Sequence, residues 1–185
     1  LVAAVTPIRA RAFLGGTRDA LLTAFATGKL FAVLPMVMQG SQRLLVAQGM
    51  DDERATTTAN VFVPLAYPFP NAGKLASLLF IPFAGWYVGR PLELSDFPLL
   101  FSVGVFAFFG SPVAAIPFLL DLLRLPSDLL PLFLIAGIWC ARLGDTLGTV
   151  HLAAFTVIAA AWDEGWLRLR SSGVARWLAL STLTG

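Results

Sequence analysis

The chain has 185 residues, 57% of them hydrophobic and 13% charged, and its formal net charge is +2. Soluble domains are about 45–50% apolar and about 25% charged, so this composition excludes an ordinary soluble domain. Several apolar runs approach the roughly 20 residues that a membrane helix needs, which predicts an integral membrane protein. The small net charge then bears on membrane topology and does not indicate nucleic-acid binding.

The two ends of the chain are predicted to lie outside its core. Residues 1–16 read as the end of a preceding helix and a cytoplasmic linker, and residues 163–185 as an interfacial segment leading into a further apolar one. Because the chain starts at Leu1 and ends in an apolar run, we expect it to be an internal piece of a longer protein. The predicted core is residues 17–162.

Two apolar segments, residues 20–47 and 97–123, are interrupted near their middle. The first contains "ATGK" and Pro35, and the second contains "FGSPVAAIP". Each half is too short to cross a bilayer, and such a break is tolerated only inside protein or beside a wet cavity. We therefore predict two re-entrant helical hairpins with tips near Gly28 and Ser111. The alternative is an ordinary span with a proline kink.

Residues 59–88 and 129–162 are predicted as two further membrane helices. The first carries "YPFPNAGK" at its centre, so we predict a broken helix there. Discontinuous helices mark the substrate site of many secondary transporters, because their free ends offer partial charges and unpaired backbone groups. The second is a long amphipathic helix with "ARLGDT" in its middle. The predicted fold class is an all-α membrane protein.

The distribution of arginines supports this topology. If both hairpins leave the membrane on the side from which they enter, eight arginines fall on one side and two on the other. Such an excess is typical of a cytoplasmic face. The eight are Arg9, Arg11, Arg18, Arg43, Arg54, Arg168, Arg170 and Arg176, and the two are Arg90 and Arg124.

Three stretches of the core carry a resemblance to a known family. They are "RDALLTAFATGKLFAVLPMVM", "VFVPLAYPFPNAGKLA" and "GIWCARLGDTLGTV", and "GSPVAA" stands where that family has a glycine-rich second tip. Their order resembles the core transport domain of the dicarboxylate/amino acid:cation symporters, the glutamate-transporter family. The matching positions are Ala24, Phe25, Thr27, Leu34, Pro35, Pro64, Leu65, Gly73, Gly144, Thr146 and Thr149.

The resemblance implies a fold, an activity and partners. It implies a secondary active transporter that moves a dicarboxylate or acidic amino acid by an elevator-like mechanism. It implies a coupling cation, Na⁺ or H⁺, and no other cofactor. It also implies a homotrimer in lipid, as a multi-pass protein of a bacterial inner membrane.

Several charged positions depart from the family pattern. Lys29 lies in what is a serine-rich tip in the family, Ala72 replaces an Asp, and Lys74 replaces a Thr. In the last helix, Arg142 stands at the family's acid and Asp145 at its arginine. In the family that acid holds a substrate amino group and that arginine a carboxylate, so neither role carries over unchanged. The loss of the Asp at Ala72 implies altered cation sites.

The charged residues of the core are the main candidates for a site. Arg142 and Asp145 are three apart and are predicted to pair on one helix face. Lys74 needs a partner at membrane depth, and Asp145 is the candidate. The planar fork of an arginine suits carboxylate recognition. The candidate substrate-binding residues are Arg142, Asp145, Thr146, Thr149, Lys74, Asn71, Gly73, Ser111, Thr27 and Lys29.

Each of these candidates also has a purely structural interpretation. The Arg142–Asp145 pair and Lys74 can serve packing alone, and Lys29 can face the cytoplasm. Threonines in membrane helices often bond back to their own helix. The single cysteine, Cys140, excludes an internal disulfide and is expected as a small packed residue.

Two functions from different classes remain open. One is transport of an anionic solute, and the other is a transporter-like module that senses or scaffolds without transport. The sequence shows no nucleophile–base constellation, no phosphate-binding glycine loop and no metal-ligand spacing, so we expect neither an enzyme nor a metal site.

Overall fold

The computed structural model describes residues 1–167, and this part of the chain consists of helices and the turns between them, without strands. The predicted all-α class is therefore confirmed for these residues. Two short 3₁₀ turns, Ser77–Leu79 and Ser127–Leu129, each precede a longer helix. The helices are α1 (Val2–Val5), α2 (Ala10–Thr27), α3 (Leu30–Val46), α4 (Asp52–Ala66), α5 (Ala72–Ala76), α6 (Phe80–Tyr87), α7 (Phe97–Ala107), α8 (Pro112–Leu122) and α9 (Leu130–Asp163).

The chain divides into two compact units. One consists of Leu1–Ala20, Leu34–Ala66 and the described residues from Leu152 to 167, and the other of Leu21–Val33 and Tyr67–His151. In the first unit, Leu45, Met50, Ala55 and Ala160 form a small core. Beside it, Arg54 forms ion pairs with Asp163 at 2.9 Å and Glu164 at 2.8 Å.

The first predicted hairpin has its break where the sequence indicated. Helix α2 ends at Thr27 and α3 begins at Leu30, and Gly28 between them has φ +59°, a conformation that favours glycine. The two helices run antiparallel and in close contact, because a Cβ on Gly40 would lie only 2.6 Å from the carbonyl oxygen of Gly16. Small residues at this crossing let the two backbones approach.

Two predicted boundaries on the N-terminal side are wrong. Residues 10–16, expected as a cytoplasmic linker, form the start of α2. Alanine, leucine and arginine are good helix formers. Gly16 is tolerated inside the helix because the close contact with Gly40 requires a small residue there. The helix predicted from residue 59 begins at Asp52, because the Asp51 carboxylate accepts hydrogen bonds from the backbone N–H groups of Glu53 and Arg54 and caps it.

The second predicted hairpin has matching boundaries. Helices α7 and α8 have 11 residues each, about 16 Å, which is half of the roughly 30 Å hydrocarbon core of a bilayer. Between them Phe108 is fully buried, and it joins an apolar core of the second unit. The other members are Leu78, Ile81, Ala84, Leu100, Ala115, Ile116, Leu119, Leu120, Leu125, Leu129 and Phe133.

The predicted broken helix is interrupted over residues 67–71. Helix α4 ends at Ala66, and the short helix α5 begins at Ala72. The buried Asn71 caps α5, since its Oδ1 accepts the backbone N–H of Lys74 at 3.0 Å. Gly73 and Lys74, which the sequence placed in the break, are thus already helical.

Helix α9 is continuous through "ARLGDT" over its 34 residues, as predicted. Of the described helices, only Ser127–Asp163 (the 3₁₀ turn and α9 together) is both long and apolar enough to cross a membrane. Helices α3, α7 and α8 are apolar but shorter. The segment 168–185, with Arg168, Arg170 and Arg176, lies outside the described residues.

Candidate functional site

Two chain segments of the second unit, the tip of the first hairpin and the start of α5, meet along one face of α9. The closest approach is a backbone contact between Gly73 of α5 and Gly144 of α9, and a Cβ on Gly144 would lie 3.3 Å from the carbonyl oxygen of Gly73. One turn further, a Cβ on Gly148 would lie 3.0 Å from Leu30 and 3.1 Å from Asn71 Oδ1. The glycines of α9 therefore bring the tip of the first hairpin and the start of α5 to the same place.

Asp145 lies between these glycines and holds the tip of the first hairpin. Its Oδ2 accepts the backbone N–H of Leu30 at 3.1 Å. Leu30 is the first residue of α3, so a carboxylate 115 residues away caps this helix. Over residues 1–167, Asp145 forms no ion pair within 4.0 Å. The predicted direct ion pairs with Arg142 and with Lys74 are therefore wrong, although Lys74 lies close enough for its charge to act on Asp145.

Arg142 lies on another side of the same tip. Its Cγ would be 3.4 Å from a Cβ on Gly28, and its guanidinium lies over the exposed Trp139 ring, 5.9 Å from the ring centroid. A cation over an indole face is stabilised by the ring quadrupole. This contact, together with the packing against Gly28, replaces the predicted pairing with Asp145.

The hydroxyl groups among the candidates are bonded locally. Thr146 and Thr149 donate to the carbonyl oxygens of Arg142 and Asp145, at 2.7 and 2.8 Å. Thr27 donates to Thr23 O at 2.7 Å. These three threonines have the back-bonded geometry that the structural interpretation expected.

Ser111 performs the same kind of local role at the second hairpin. Its Oγ accepts the backbone N–H of Val113 at 3.3 Å and caps α8. The next residues, Pro112 and Val113, line a cavity described below, so the tip of this hairpin reaches the site through apolar side chains.

Two cavities share Lys74 and Asp145. The smaller, of about 300 Å³, is lined by the first hairpin tip, the break and α9, through Lys29, Leu30, Phe31, Tyr67, Asn71, Lys74 and Asp145. The larger, of about 400 Å³, lies between α5, the second hairpin tip and α9. Its lining is largely apolar and includes Phe133, Leu134 and Ile138. Arg142 lines neither of these two cavities.

Cys140 differs from its predicted role. It was expected as a small packed residue, but it is exposed and lines the larger cavity. Residues 137, 140, 141 and 144 of α9 all line this cavity, because spacings of three and four place residues on one helix face. Cys140 belongs to that face.

The sequence interpretation named Gly73 and Gly144 as matches to the family pattern but missed their packing role, and it did not name Gly148. Gly144 and Gly148 are four apart, which is the small-residue spacing that allows helices to approach closely in membranes. That signal was present in "GDTLG". The aromatic pair Phe31 and Tyr67, with ring centroids 5.9 Å apart, had no such signal because its members lie in different segments.

Comparisons with models of protein families, with curated proteins and with solved structures found no match.

Proposed function

We propose that the chain is the core of a secondary active transporter that moves an anionic solute across a membrane by a cation-coupled, elevator-like mechanism. The family resemblance suggests a dicarboxylate or an acidic amino acid as the solute and Na⁺ or H⁺ as the coupling cation. It also suggests a multi-pass protein of a bacterial inner membrane and a homotrimer.

The observation that carries the proposal is the meeting of two interrupted helical segments at one charged cavity. The break between α2 and α3 and the break before α5 both lie against the glycines of α9. Lys29, Lys74 and Asp145 line the cavity between them. Charged groups in a chain this apolar indicate a functional site when they surround a cavity, because their desolvation is costly.

The outer face of α9 supports a membrane location. Ile135, Trp139, Leu143 and Leu147, each four residues after the last, are 73, 64, 61 and 42% exposed. An exposed apolar stripe of this length is unfavourable in water and suits contact with lipid tails. In such a setting α7 and α8 are too short to span, which favours the re-entrant hairpin over the kinked span.

The alternative is a transporter-like module that senses or scaffolds without transport. The observation that favours it is the use of the polar groups: Asp145 caps α3, and Thr146 and Thr149 bond to their own helix. A site whose hydrogen-bonding groups are already engaged has fewer to offer a solute.

Uptake into proteoliposomes of the full-length protein separates the two functions. Labelled succinate and glutamate are offered under an inward cation gradient, and vesicles without protein give the background. Accumulation of either solute that is lost in Lys74→Gln and kept in Arg43→Gln supports transport through this cavity. If a solute binds to the protein but accumulates equally in vesicles with and without protein, the result supports the sensing module.

A further inference from the structure

The smaller cavity collects all the lysines of the sequence. The chain has eleven arginines but two lysines, Lys29 and Lys74, and both line this cavity. Neither forms an ion pair within 4.0 Å over residues 1–167. A lysine ammonium is a compact point charge on a flexible side chain. Lys29 on the hairpin tip and Lys74 on α5 can therefore both contact one small anion in this cavity.

A buried amide adds a neutral donor beside the two ammonium groups. Asn71 is 2% exposed, and its Oδ1 faces the backbone N–H of Lys74. Because that N–H can only donate, the orientation of the amide is fixed, and Nδ2 is the free end. Nδ2 forms no hydrogen bond with another described residue, and Asn71 lines the cavity. A donor that borders a cavity and has no hydrogen bond to another described residue is suited to an anionic oxygen.

The charge of this cavity matches one negative group. Two ammonium groups and one carboxylate leave a net charge of +1, and Asp145 already accepts a hydrogen bond from Leu30. One carboxylate neutralises this charge, whereas a second would leave an uncompensated anion in an apolar surrounding. Uncompensated buried charge is strongly unfavourable.

The neighbouring cavity matches an apolar group. It shares Lys74 and Asp145 with the first and is lined beyond them mainly by apolar side chains such as Val113, Phe133 and Ile138. A second carboxylate placed there would lose its hydration, would have to share Lys74 with the first carboxylate and would lie beside the carboxylate of Asp145. A hydrocarbon body would bury apolar surface instead.

We propose that the solute is a monocarboxylate with an apolar body, its carboxylate held by Lys29, Lys74 and Asn71 and its body in the cavity beside α9. The inference rests on the proposed transport of an anionic solute, and it replaces the dicarboxylate or acidic amino acid that the family resemblance suggests with a monocarboxylate. It differs from the family expectation, which places a second charged group in the site and assigns the carboxylate to the position of Asp145. It also differs from the sequence interpretation, which assigned the carboxylate to Arg142.

The exposed Cys140 provides a reporter inside the apolar cavity. The rate at which N-ethylmaleimide labels Cys140 is measured in proteoliposomes of the full-length protein, with Cys140→Ser as the blank. The ligands are hexanoate, hexan-1-ol and succinate. Hexan-1-ol controls for partition of the apolar chain into lipid, and succinate controls for charge without an apolar body.

We expect hexanoate to slow the labelling in a saturable manner, and hexan-1-ol and succinate to have little effect at equal concentration. Lys74→Gln should weaken the protection by hexanoate about tenfold or more, as loss of a charge-assisted contact does. Lys29→Gln, at an exposed tip position, should act in the same direction without a risk to folding. Arg43→Gln removes an exposed charge outside the cavity and should leave the protection unchanged.

Equal protection by hexan-1-ol, or stronger protection by succinate, would overturn the inference. So would protection by hexanoate that survives both lysine substitutions. The proposed transport function is contradicted by a different result from the one that contradicts this substrate class. If succinate accumulates in vesicles while hexanoate does not protect, transport stands and this substrate class is wrong. If hexanoate protects but no solute accumulates, the site stands and transport is wrong.

Discussion

Asp145 is the side chain on which the position of the first hairpin tip depends. A single charge-assisted hydrogen bond connects its Oδ2 to the first backbone N–H of α3. An asparagine has an oxygen of similar reach, whereas alanine leaves that N–H without a partner. The comparison of the two substitutions therefore isolates the capping role from the charge.

We expect Asp145→Ala to lower the free energy of unfolding by about 1–2 kcal/mol, and Asp145→Asn by less than half of that. Denaturation of the purified protein in detergent measures both. If asparagine and alanine destabilise equally, the negative charge and not the hydrogen bond to Leu30 holds the tip.

Two assignments of the anion-binding residue, Arg142 from the sequence and Lys74 from the structure, lead to opposite predictions. The sequence assigned the carboxylate to Arg142, but this guanidinium lies over Trp139 and lines neither described cavity, whereas Lys74 lines both. We expect Lys74→Gln to weaken the binding of an anionic solute about tenfold or more, and Arg142→Ala to weaken it less. Equilibrium binding to both variants decides between them, and the reverse order would restore the assignment to Arg142.

At the scale of helices, the first hairpin depends on the contact between Gly16 and Gly40. A methyl group on Gly40 would meet the carbonyl of Gly16 at 2.6 Å, and backbone cannot move aside as a side chain can. Gly15, also in α2, has nothing within 4 Å of an added Cβ. The two positions form a matched pair, because both are helical glycines.

We expect Gly40→Ala to destabilise the protein by about 1–3 kcal/mol through overpacking. Gly15→Ala should be neutral or stabilising by up to about 1 kcal/mol, since alanine has the higher helix propensity. Thermal unfolding in detergent gives the comparison. A stable Gly40→Ala would show that α2 and α3 do not pack as closely as described.

The breaks in the helices were predictable from local chemistry. Gly28 supplies a positive φ, and the prolines and Asn71 of "YPFPNAGK" interrupt one helix and cap the next. Asp51 is also a favourable N-cap residue in the sequence, and it predicts the start of α4 at Asp52. In contrast, residues 10–16 were mistaken for a linker, because two consecutive glycines are typical of loops and the sequence does not show that Gly16 packs against Gly40.

At the scale of the whole molecule, the lining of the two cavities was predictable only in part, and the contacts within it were not predictable. Asn71, Gly73, Lys74 and Asp145 were identified from motif and charge. The hydrogen bond from Leu30 to Asp145 spans 115 positions, so no local pattern indicates it. Which charges pair depends on the direction in which each helical residue faces. Ala141 lines the larger cavity, whereas the next residue, Arg142, faces away from it.

The proposed transport function makes a prediction about cation dependence at the scale of the whole protein. The family that the sequence resembles has a carboxylate where this chain has Ala72, and Lys74 brings a fixed positive charge to the same helix. A fixed ammonium repels a bound cation and partly replaces its charge. We expect uptake into proteoliposomes to change little when choline replaces sodium. A steep sodium requirement would show that a sodium site persists elsewhere.

The contact between Gly73 and Gly144 makes one wall of the site rigid, whereas the opposite wall can change its position. Two backbones in direct contact have no side chains to rearrange, so α5 and α9 can only move together. The opposite wall, the tip with Lys29, is held by one hydrogen bond and by side-chain packing, such as that of Leu30 against Gly148, which can rearrange more easily than a backbone contact. Half of the site is thus preorganised, and a solute that binds has to order the other half alone. Selectivity should therefore reside in α5 and α9, and the rate of entry and exit in the tip.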